Sequence, residues 1–324
     1  MIGQMVGRYR IVRPLGEGGM ARVYAAEDTQ VGRQVAVKAL LAEYSRSPGV
    51  VDRFMNEAKA MGRIRHPGVV DVFEVMVAPS GELCIIMELV NGVTLREHLW
   101  KQGPMPLAMA IAVMDQLADT VAAAHAERII HRDLKPENIL LVADPLDPQR
   151  PRVRILDFGI AKLEDAGSVK TATGTQMGTA TYMAPEQFRN AKLVDHRVDV
   201  YALGCVFFEI LFGQPPLTGR NLLEQMQAHL QQQPPLHALP PHTPPAIRAL
   251  IGRMLEKDRD QRLGSLVDAL TILRGGTPAP MGQGVGPTSV IAAQAGGGGS
   301  HAWIIALIAV VLVSVGLAAV IALT

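Results

Sequence analysis

The first part of the chain alternates apolar and polar residues in the way that is typical of half-buried β-strands. Residues 9–40 contain three such runs, which read "YRIVRPLG", "EGGMARVYAAED" and "QVAVKAL". Two further runs, "HPGVVDVFEVMV" and "ELCIIMELV", are predicted to pair through the turn "APSGE". Between these groups, residues 48–64 begin with Pro48 and carry apolar side chains at three-to-four spacing, which indicates a helix. The pattern therefore predicts a strand-rich N-terminal lobe that contains one helix.

After residue 92 the spacing of apolar positions becomes helical. Residues 107–127 carry one long apolar stripe, residues 197–212 form an apolar helix, and residues 243–274 hold two more helical patterns. One strand pair interrupts this region, because "NILLV" and "VRILDF" flank the proline-marked turn "DPLDPQRPR". The predicted fold class is α+β, with an antiparallel sheet in the N-terminal lobe and a mainly helical C-terminal lobe.

The end of the chain contains two segments whose amino-acid composition differs from that of the rest. Residues 275–301 consist mainly of Gly, Ala, Pro and Ser, which indicates a flexible linker. Residues 302–323 carry no charge, and at 1.5 Å per residue they would form a helix roughly 33 Å long, enough to cross a hydrocarbon core of about 30 Å. The alternative is a buried helix of a globular domain. We predict a folded domain at 9–274 with lobes at 9–90 and 91–274, the linker at 275–301, and a transmembrane helix at 302–323.

Composition narrows the classes of function. The formal net charge is +1 and no block of lysine and arginine stands out, which argues against a nucleic-acid partner bound through bulk charge. Cys84 and Cys205 lie within apolar stretches and predict buried free thiols, not a disulfide scaffold. Residues 1–14 lack an apolar segment, so we expect no cleavable signal peptide and a reduced, intracellular setting for the main domain.

The stretch "IIHRDLKPENILL", residues 129–141, concentrates charged side chains between two apolar runs. A solvated loop would explain these charges alone, but Asp157 follows directly after another apolar strand. Asn138 and Asp157 would supply oxygen ligands for a Mg2+ ion that is carried in by phosphates. Asp133 could orient a hydroxyl group and accept its proton, and Lys135 could neutralise charge on a phosphoryl group during transfer.

Two positions in the N-terminal lobe fit the same chemistry. Gly16 and Gly18 lie on a predicted hairpin turn, where backbone amides can approach phosphate oxygens without an intervening side chain. A strand follows this turn, which excludes a dinucleotide-binding unit because that unit requires a helix there. Lys38 ends the strand "VAVK", and alone it would equally fit a surface lysine. A lysine held by a buried glutamate such as Glu57, however, can bind the α- and β-phosphates of a nucleotide.

These residues occur in the order found in one known family. The chain resembles the protein-kinase superfamily, and within it the bacterial serine/threonine kinases of eukaryotic (Hanks) type. The resemblance covers about residues 9–274, and it implies a bilobal protein-kinase fold. It rests on the glycine loop at 16–21, "VAVK" at 35–38, Glu57, "HRDLKPEN" at 131–138, "DFG" at 157–159 and "APE" at 184–186, with further matches in "DVYALG" at 199–204 and at Arg262.

The resemblance implies a site between the lobes for ATP with Mg2+, or with Mn2+ in its place. Glu88 and Val90 would offer backbone hydrogen bonds to the adenine, Met87 would guard the back pocket, and Leu140 would lie beneath the base. The residues implied in nucleotide binding are Leu15, Gly16, Glu17, Gly18, Gly19, Met20, Ala21, Arg22, Val23, Ala36, Lys38, Met87, Glu88, Val90 and Leu140.

Two further expectations concern packing. Ala21 replaces the third glycine of the family's loop, and we expect slightly altered loop mobility with retained nucleotide binding. By the same resemblance, His131, Phe158 and Met61 would stack as an apolar column between the lobes. His131 is therefore expected to pack and not to take part in acid–base chemistry.

The substrate class also follows from the resemblance. Lys135, two residues after Asp133, and "GTATYMAPE" at 178–186 are the pattern of serine/threonine kinases and not of tyrosine kinases. Thr179 would hydrogen-bond to Asp133 and Lys135 and help to position a hydroxyl substrate. The implied catalytic residues are Asp133, Lys135, Lys38 and Glu57, with Asn138 and Asp157 as metal ligands.

Arg132 directly precedes Asp133, and in this family such an arginine is an anchor for a phosphothreonine on the activation loop. Thr171 and Thr173 occupy the positions that related kinases phosphorylate on themselves. A phosphate would add about −1.5 to −2 charges and could pair with Arg132. The alternative is that these threonines only solvate a flexible loop.

The sequence thus predicts a membrane-tethered enzyme that phosphorylates protein Ser and Thr residues. The kinase domain would face the cytosol, where ATP is, in a single-pass protein of the cell membrane, and residues 302–323 would contact the lipid bilayer. Self-association would allow one molecule to phosphorylate another. Only Thr324 follows the predicted span, so a ligand-sensing receptor role is not expected. The alternatives are a pseudokinase scaffold without phosphate transfer and a phosphotransferase acting on small molecules.

Overall fold

The computed structural model describes residues 1–45, 47–147, 150–158, 178, 180–190 and 194–276. All of them belong to one unit of the chain, Met1–Ala279. The predicted linker beyond residue 276 and the predicted transmembrane helix at 302–323 lie outside the described residues, so both remain predictions.

The N-terminal lobe is an antiparallel sheet with one helix, as the sequence pattern predicts. The strand order is β1-β2-β3-β4-β6-β5, and every neighbouring pair is antiparallel. The elements are β1 (Met5–Val6), β2 (Tyr9–Glu17), β3 (Ala21–Asp28), β4 (Gln34–Leu40), α1 (Pro48–Arg63), β5 (Val72–Val77) and β6 (Leu83–Glu88).

Alternate residues of this sheet face two different hydrophobic clusters, because successive side chains of a strand point to opposite faces. On β6, Cys84 and Ile86 belong to one cluster, whereas Ile85 belongs to a second cluster that contains α1. Helix α1 buries one stripe of its surface, and the charged Glu57 lies on that stripe. The fold therefore brings a carboxylate into the interior, beside the sheet.

The C-terminal lobe is mainly helical, and other helices pack around one central, buried helix. Its helices are α2 (Leu95–Gln102), α3 (Leu107–Ala126), α4 (Pro185–Asn190), α5 (Arg197–Phe212), α6 (Leu222–Gln231), α7 (Pro245–Met254) and α8 (Leu266–Leu273), with short 3-10 helices at Pro136–Asn138 and Leu236–Ala238. Helix α5 is buried along almost its whole length, which explains why its sequence is apolar on every side. Helices α3 and α7 pack against it.

A small three-stranded sheet positions the loops that carry the candidate site. Strands β8 (Ile139–Val142) and β9 (Arg152–Ile155) form the predicted hairpin, and β7 (Val93–Thr94) pairs with β8. The charged stretch found in the sequence ends where β8 begins, and Asp157 lies two residues after β9. Ile155 N donates to Gly68 O at 2.7 Å, which fastens this sheet to the segment between α1 and β5.

Within the described ranges, one helix is long and apolar enough by length and composition to cross a membrane, and it is α3. The buried residues of α3, such as Val113, Leu117 and Val121, lie in the main hydrophobic core with those of α5. Its apolar character is explained by this packing.

Candidate active site

Lys38 joins the two lobes through a pair of carboxylates. Its Nζ atom lies 2.7 Å from Glu57 Oε1 on α1 and 2.8 Å from Asp157 Oδ1, after β9. Lys38 is 9% exposed and Glu57 is 5% exposed, so this pair is almost excluded from water, whereas the Asp157 side chain remains partly exposed. The predicted partnership of Lys38 with Glu57 is present in the structure, and Asp157 is close enough to share the same ammonium group.

The pKa values in this cluster reflect one cation shared between two acids. Burial lowers the pKa of Lys38, but the nearby charges of Asp157 and Glu57 outweigh burial and raise the pKa above its ordinary value. Burial raises the pKa of Glu57 to about 7, and Asp157 adds to that increase while Lys38 opposes it. Lys38 therefore stays charged, and Glu57 is the member that can take up a proton near neutral pH.

The catalytic loop predicted from the sequence is held together by its own polar groups. Asn138 Nδ2 donates to Asp133 O at 2.9 Å and to Asp133 Oδ2 at 3.3 Å. Lys135 Nζ lies 3.2 Å from the same Asp133 Oδ2. Leu156 N donates to Asn138 O at 2.9 Å, which places the loop that leads to Asp157 beside Asn138.

Asp199, in the first turn of α5, binds backbone amides of this loop. It is fully buried, its two carboxylate oxygens accept from His131 N at 2.8 Å and from Arg132 N at 2.7 Å, and His125 Nε2 lies 2.8 Å from Oδ2. Arg132 adopts a positive φ of 66°, which is costly for a residue with a side chain. The hydrogen bonds to the Asp199 carboxylate hold the backbone in that conformation.

His131 packs in the core, in agreement with the expectation from the sequence. Its ring lies 4.7 Å from the ring of Phe158, and both residues are fully buried. Phe158 and Met61 belong to the same hydrophobic cluster. Burial lowers the pKa of His131, against the opposing charge of Asp199, so the ring stays neutral.

The glycine-rich turn connects β2 to β3. Gly18 N donates to Ala21 O at 2.8 Å, and residues 12–19 are exposed, as is Arg22. Met20 and Val23 are half-buried. Ala21 is 8% exposed and packs in the cluster that contains Val50 and Phe54 of α1. The methyl group that replaces the family's third glycine therefore faces the core, which the sequence did not indicate.

The residues predicted around the adenine come from both lobes. Ala36 pairs with Met87 across β4 and β6, and both are buried in the same cluster as Phe158. Val23 and Val90 pack against that cluster, and Leu140 is buried on β8. The structure thus brings the apolar members of the predicted pocket to the region between the lobes.

Sequence reasoning missed Arg154, a side chain that binds the segment that would contact adenine. Arg154, on β9, forms an ion pair with Glu88, and its Nη2 donates to Val69 O at 3.0 Å. Glu88 N donates to Asp71 O at 2.9 Å. Arg154 carries little signal in the sequence, because β9 reads "RVRI" and both of its arginines fit the polar face of a half-buried strand.

The donor set fits a magnesium ion that arrives with a nucleotide. Both hydrogen bonds donated by the Asn138 amide nitrogen go to Asp133, which leaves the amide oxygen Oδ1 as the atom suited to a cation. Asp157 adds a carboxylate that is 41% exposed. In the part of the chain that is described, no group of three or more His, Cys, Asp or Glu side chains is placed to hold a metal alone. A cation at Asn138 and Asp157 would need further oxygen ligands, and phosphates provide them.

Of the remaining predicted residues, the structure describes Arg132 and does not describe the others. Arg132 is half-buried, and its Nη1 atom has no hydrogen-bond partner among the described residues. Thr171, Thr173 and Thr179 lie outside the described residues, as does Gly159, so their assigned roles remain predictions.

Comparison with known proteins agrees with this arrangement. The family model of the protein kinase domain matches residues 9–272. Serine/threonine-protein kinase Pkn1 of Myxococcus xanthus is 39% identical over 267 residues, which are 82% of this chain and 38% of that protein. Serine/threonine-protein kinase PknA of Mycobacterium tuberculosis is 38% identical over 281 residues, which are 85% of this chain and 63% of PknA.

Serine/threonine-protein kinase PknB of Mycobacterium tuberculosis is 41% identical over 231 residues, which are 70% of this chain and 36% of PknB. The chain thus spans less than two thirds of the length of each of these relatives. The family match covers both lobes and every element that carries the candidate site. The chain therefore belongs to the protein kinase family, with bacterial serine/threonine kinases of eukaryotic type as its relatives.

Proposed function

We propose that the chain is a serine/threonine protein kinase, which transfers the γ-phosphate of ATP to Ser and Thr hydroxyl groups of proteins. The observation that carries this proposal is the Lys38–Asp157 ion pair of 2.8 Å. It joins a phosphate-binding lysine of one lobe to a metal-binding aspartate of the other, beside a loop in which Asp133, Lys135 and Asn138 are hydrogen-bonded or ion-paired. Phosphoryl transfer depends mainly on such positioning and charge stabilisation.

Each side chain has a distinct part in the proposed reaction. Lys38, held by Glu57, binds phosphate oxygens of ATP, while Asn138 and Asp157 hold Mg2+ or Mn2+. The metal ion supplies positive charge to the β- and γ-phosphates when it is bound. Asp133 orients the substrate hydroxyl and accepts its proton, and Lys135 stabilises the negative charge of the phosphoryl group.

The test is an assay of phosphate transfer from radiolabelled ATP to a generic protein substrate. Asp133→Asn removes the proton acceptor and should lower kcat by at least about 100-fold, since general base catalysis contributes 10²–10⁴-fold. Asp144→Asn is the matched control, because Asp144 pairs with Arg152 on the exposed part of the β8–β9 hairpin. Equal activity of Asp133→Asn and the parent, or transfer only to small molecules, would contradict the proposal.

We also infer that the activity depends on phosphorylation of Thr171 or Thr173. Support comes from Arg132, whose guanidinium is partly desolvated and whose Nη1 lacks a hydrogen-bond partner among the described residues. A phosphate near Arg132 would compensate that buried positive charge. Replacing both threonines by alanine should lower activity at least tenfold and remove autophosphorylation at these positions, as read by phosphosite mapping. Unchanged activity of the double variant would refute the inference.

The proposed cellular setting is the cytosolic face of a membrane. It is supported by the uncharged sequence at 302–323 and by the Gly-rich composition of residues 275–301. Attachment to a surface would raise the local concentration of the kinase domain and favour phosphorylation of one molecule by another.

A further inference from the structure

One arginine of the C-terminal lobe binds three side chains that are distant in sequence. Arg96 lies in the first turn of α2, and its Nε donates to Glu137 Oε1 at 2.9 Å while its Nη1 donates to Glu209 Oε1 at 2.6 Å. Its Nη2 donates to the hydroxyl of Tyr182, which in turn donates to Glu209 Oε2 at 2.6 Å. The three nitrogen atoms of one guanidinium thus connect α2 with the catalytic loop, α5 and the segment before α4.

The position of Arg96 is unfavourable for the helix that carries it. The amino end of a helix carries partial positive charge, so a cation in the first turn is disfavoured. A capping box of Thr94 and Glu97 satisfies two of the amides at this end, and a guanidinium, which only donates hydrogen bonds, can satisfy none of them. Arg96 therefore supports α2 neither through the helix dipole nor as a cap, and its polar contacts are with the two glutamates and the tyrosine outside that helix.

Those acids differ in their access to solvent. Glu209 is 1% exposed, whereas the Glu137 side chain is 43% exposed and that of Arg96 is 36% exposed. Two carboxylates that converge on one guanidinium form the arrangement by which proteins recognise arginine side chains. This acidic pair is open to solvent on the side of Glu137, and Arg96 occupies it from within the chain.

The acidic pair lies beside the path of a protein substrate. Any substrate has to bring its hydroxyl to Asp133, so residues near that hydroxyl must pass over the surface around Asp133. Glu137 precedes Asn138, the residue that donates to Asp133. The segment around Tyr182 is fastened to the same loop, because Gln187 Nε2 donates to Arg132 O at 3.2 Å.

We propose that Arg96 determines substrate specificity by filling the Glu137–Glu209 pair, which would otherwise accept an arginine or lysine side chain of the protein substrate. With the acidic pair filled by Arg96, the protein would not require a basic residue at the corresponding position of its substrates. This inference rests on the proposed function, since it concerns the substrates of the phosphoryl transfer. It assigns a role in specificity to a residue that touches neither ATP nor the reacting hydroxyl.

The test is a set of threonine peptides in which arginine is placed in turn at each position around the acceptor. For the parent protein, arginine at any single position should change kcat/KM by less than about twofold. Arg96→Ala should gain about tenfold or more in kcat/KM for arginine at one position, since a charge-assisted pair of about 1.4 kcal/mol corresponds to tenfold. The gain should vanish in Arg96→Ala combined with Glu137→Gln.

Arg220→Ala is the control, because it removes an exposed arginine that is paired with Glu224. This variant should leave the arginine profile of the parent unchanged.

A second variant keeps the test decisive if Arg96→Ala fails to fold. Glu137→Gln alone retains Arg96 and its contacts with Glu209 and Tyr182, and it should leave the arginine profile of the parent unchanged because the acid is already occupied. A selective loss of kcat/KM for one arginine-containing peptide in Glu137→Gln would overturn the inference, as would an unchanged profile in an active Arg96→Ala. Absence of phosphate transfer in the parent protein would instead overturn the proposed function and this inference with it.

Discussion

Lys38 shows how the chemistry of single residues is set by their neighbours. An isolated lysine that is 9% exposed would lose its proton easily, because burial disfavours the charged form. Two carboxylates within 2.8 Å reverse this effect, and the pKa of Lys38 rises. One ammonium group cannot fully compensate both acids in a buried site. The pKa of Glu57, the more buried acid, is therefore raised to about 7.

This shift of Glu57 predicts a dependence of stability on pH. A carboxyl group whose pKa is higher in the folded state than in the unfolded state binds more protons when folded. Its contribution to stability is then largest at low pH and is lost as the pH rises from about 4.5 to about 7. Glu57→Gln removes this group, so the stability of the variant relative to the parent should increase between pH 5 and pH 8, by at most about 3 kcal/mol.

Chemical denaturation of both proteins at several pH values measures this difference. Glu127→Gln is a suitable control, because Glu127 is largely exposed and pairs with the exposed Arg63. Parallel stability curves for Glu57→Gln and the parent would show that Glu57 does not titrate in this range.

Motifs reveal residues whose roles depend on local spacing, and they miss residues whose roles depend on distant contacts. Asp133, Lys135 and Asn138 could be found from the sequence because they share one short loop. Asp199 binds backbone amides that precede it by 67 and 68 residues. Arg96 binds partners that follow it by as many as 113 residues. No periodicity connects such positions. The match of "DVYALG" marked Asp199 in the sequence, but only the folded chain shows its partners and those of Arg96.

At the scale of elements, the hydrophobic pattern was most informative where a helix buries much of its surface. The helix predicted at 197–212 is α5, Arg197–Phe212, and the one predicted at 48–64 is α1, Pro48–Arg63. Helix α6, Leu222–Gln231, was missed because glutamines interrupt its apolar positions. Its start is set by Asn221, whose side chain accepts from Glu224 N, and a single cap is a weak signal in sequence.

Strand β9 supports the segment that is predicted to contact adenine, and this predicts a change in nucleotide affinity. Arg154→Ala removes the ion pair with Glu88 and the hydrogen bond to Val69 O. The segment at Glu88 should become less ordered before ATP binds, which raises the KM for ATP by roughly threefold to tenfold with little change in kcat. Steady-state kinetics with ATP as the varied substrate measures both constants.

Arg152→Ala is the matched control for that experiment. Arg152 lies on the same strand, two residues earlier, but its partner Asp144 belongs to the exposed part of the hairpin. The KM for ATP should stay at the parent value. An equal effect of both substitutions would mean that positive charge on β9 matters and that the contact with Glu88 does not.

The stability of the whole domain depends on a few buried ion pairs that connect distant segments. Arg262 is 1% exposed, and its guanidinium binds both carboxylate oxygens of Glu186 on α4, at 2.6 and 2.9 Å. Removing one partner of such a pair leaves an uncompensated buried charge. Arg262→Ala should therefore lower the free energy of unfolding by about 3–5 kcal/mol. Arg274→Ala, which breaks an exposed pair with Asp115, should cost about 1 kcal/mol or less. Denaturant titrations compare the two variants, and similar losses would contradict this assignment.

The proposed tethering to a surface would involve the whole molecule, and it predicts how activation depends on concentration. A Gly-rich coil of the length of residues 275–301 spans roughly 26 to 31 Å, so kinase domains on one membrane could meet while remaining attached. The full chain in lipid vesicles should autophosphorylate at a rate set by its density on the surface, whereas a fragment of residues 1–279 in solution should depend on bulk concentration. At nanomolar total protein, the vesicle-bound chain should react at least tenfold faster than the fragment.

A second measurement isolates the reaction between two molecules. On the same vesicles, the parent should phosphorylate full-length Asp133→Asn, which is used only as a substrate. Equal rates for the fragment and the vesicle-bound chain would show that attachment through residues 302–323 does not promote activation.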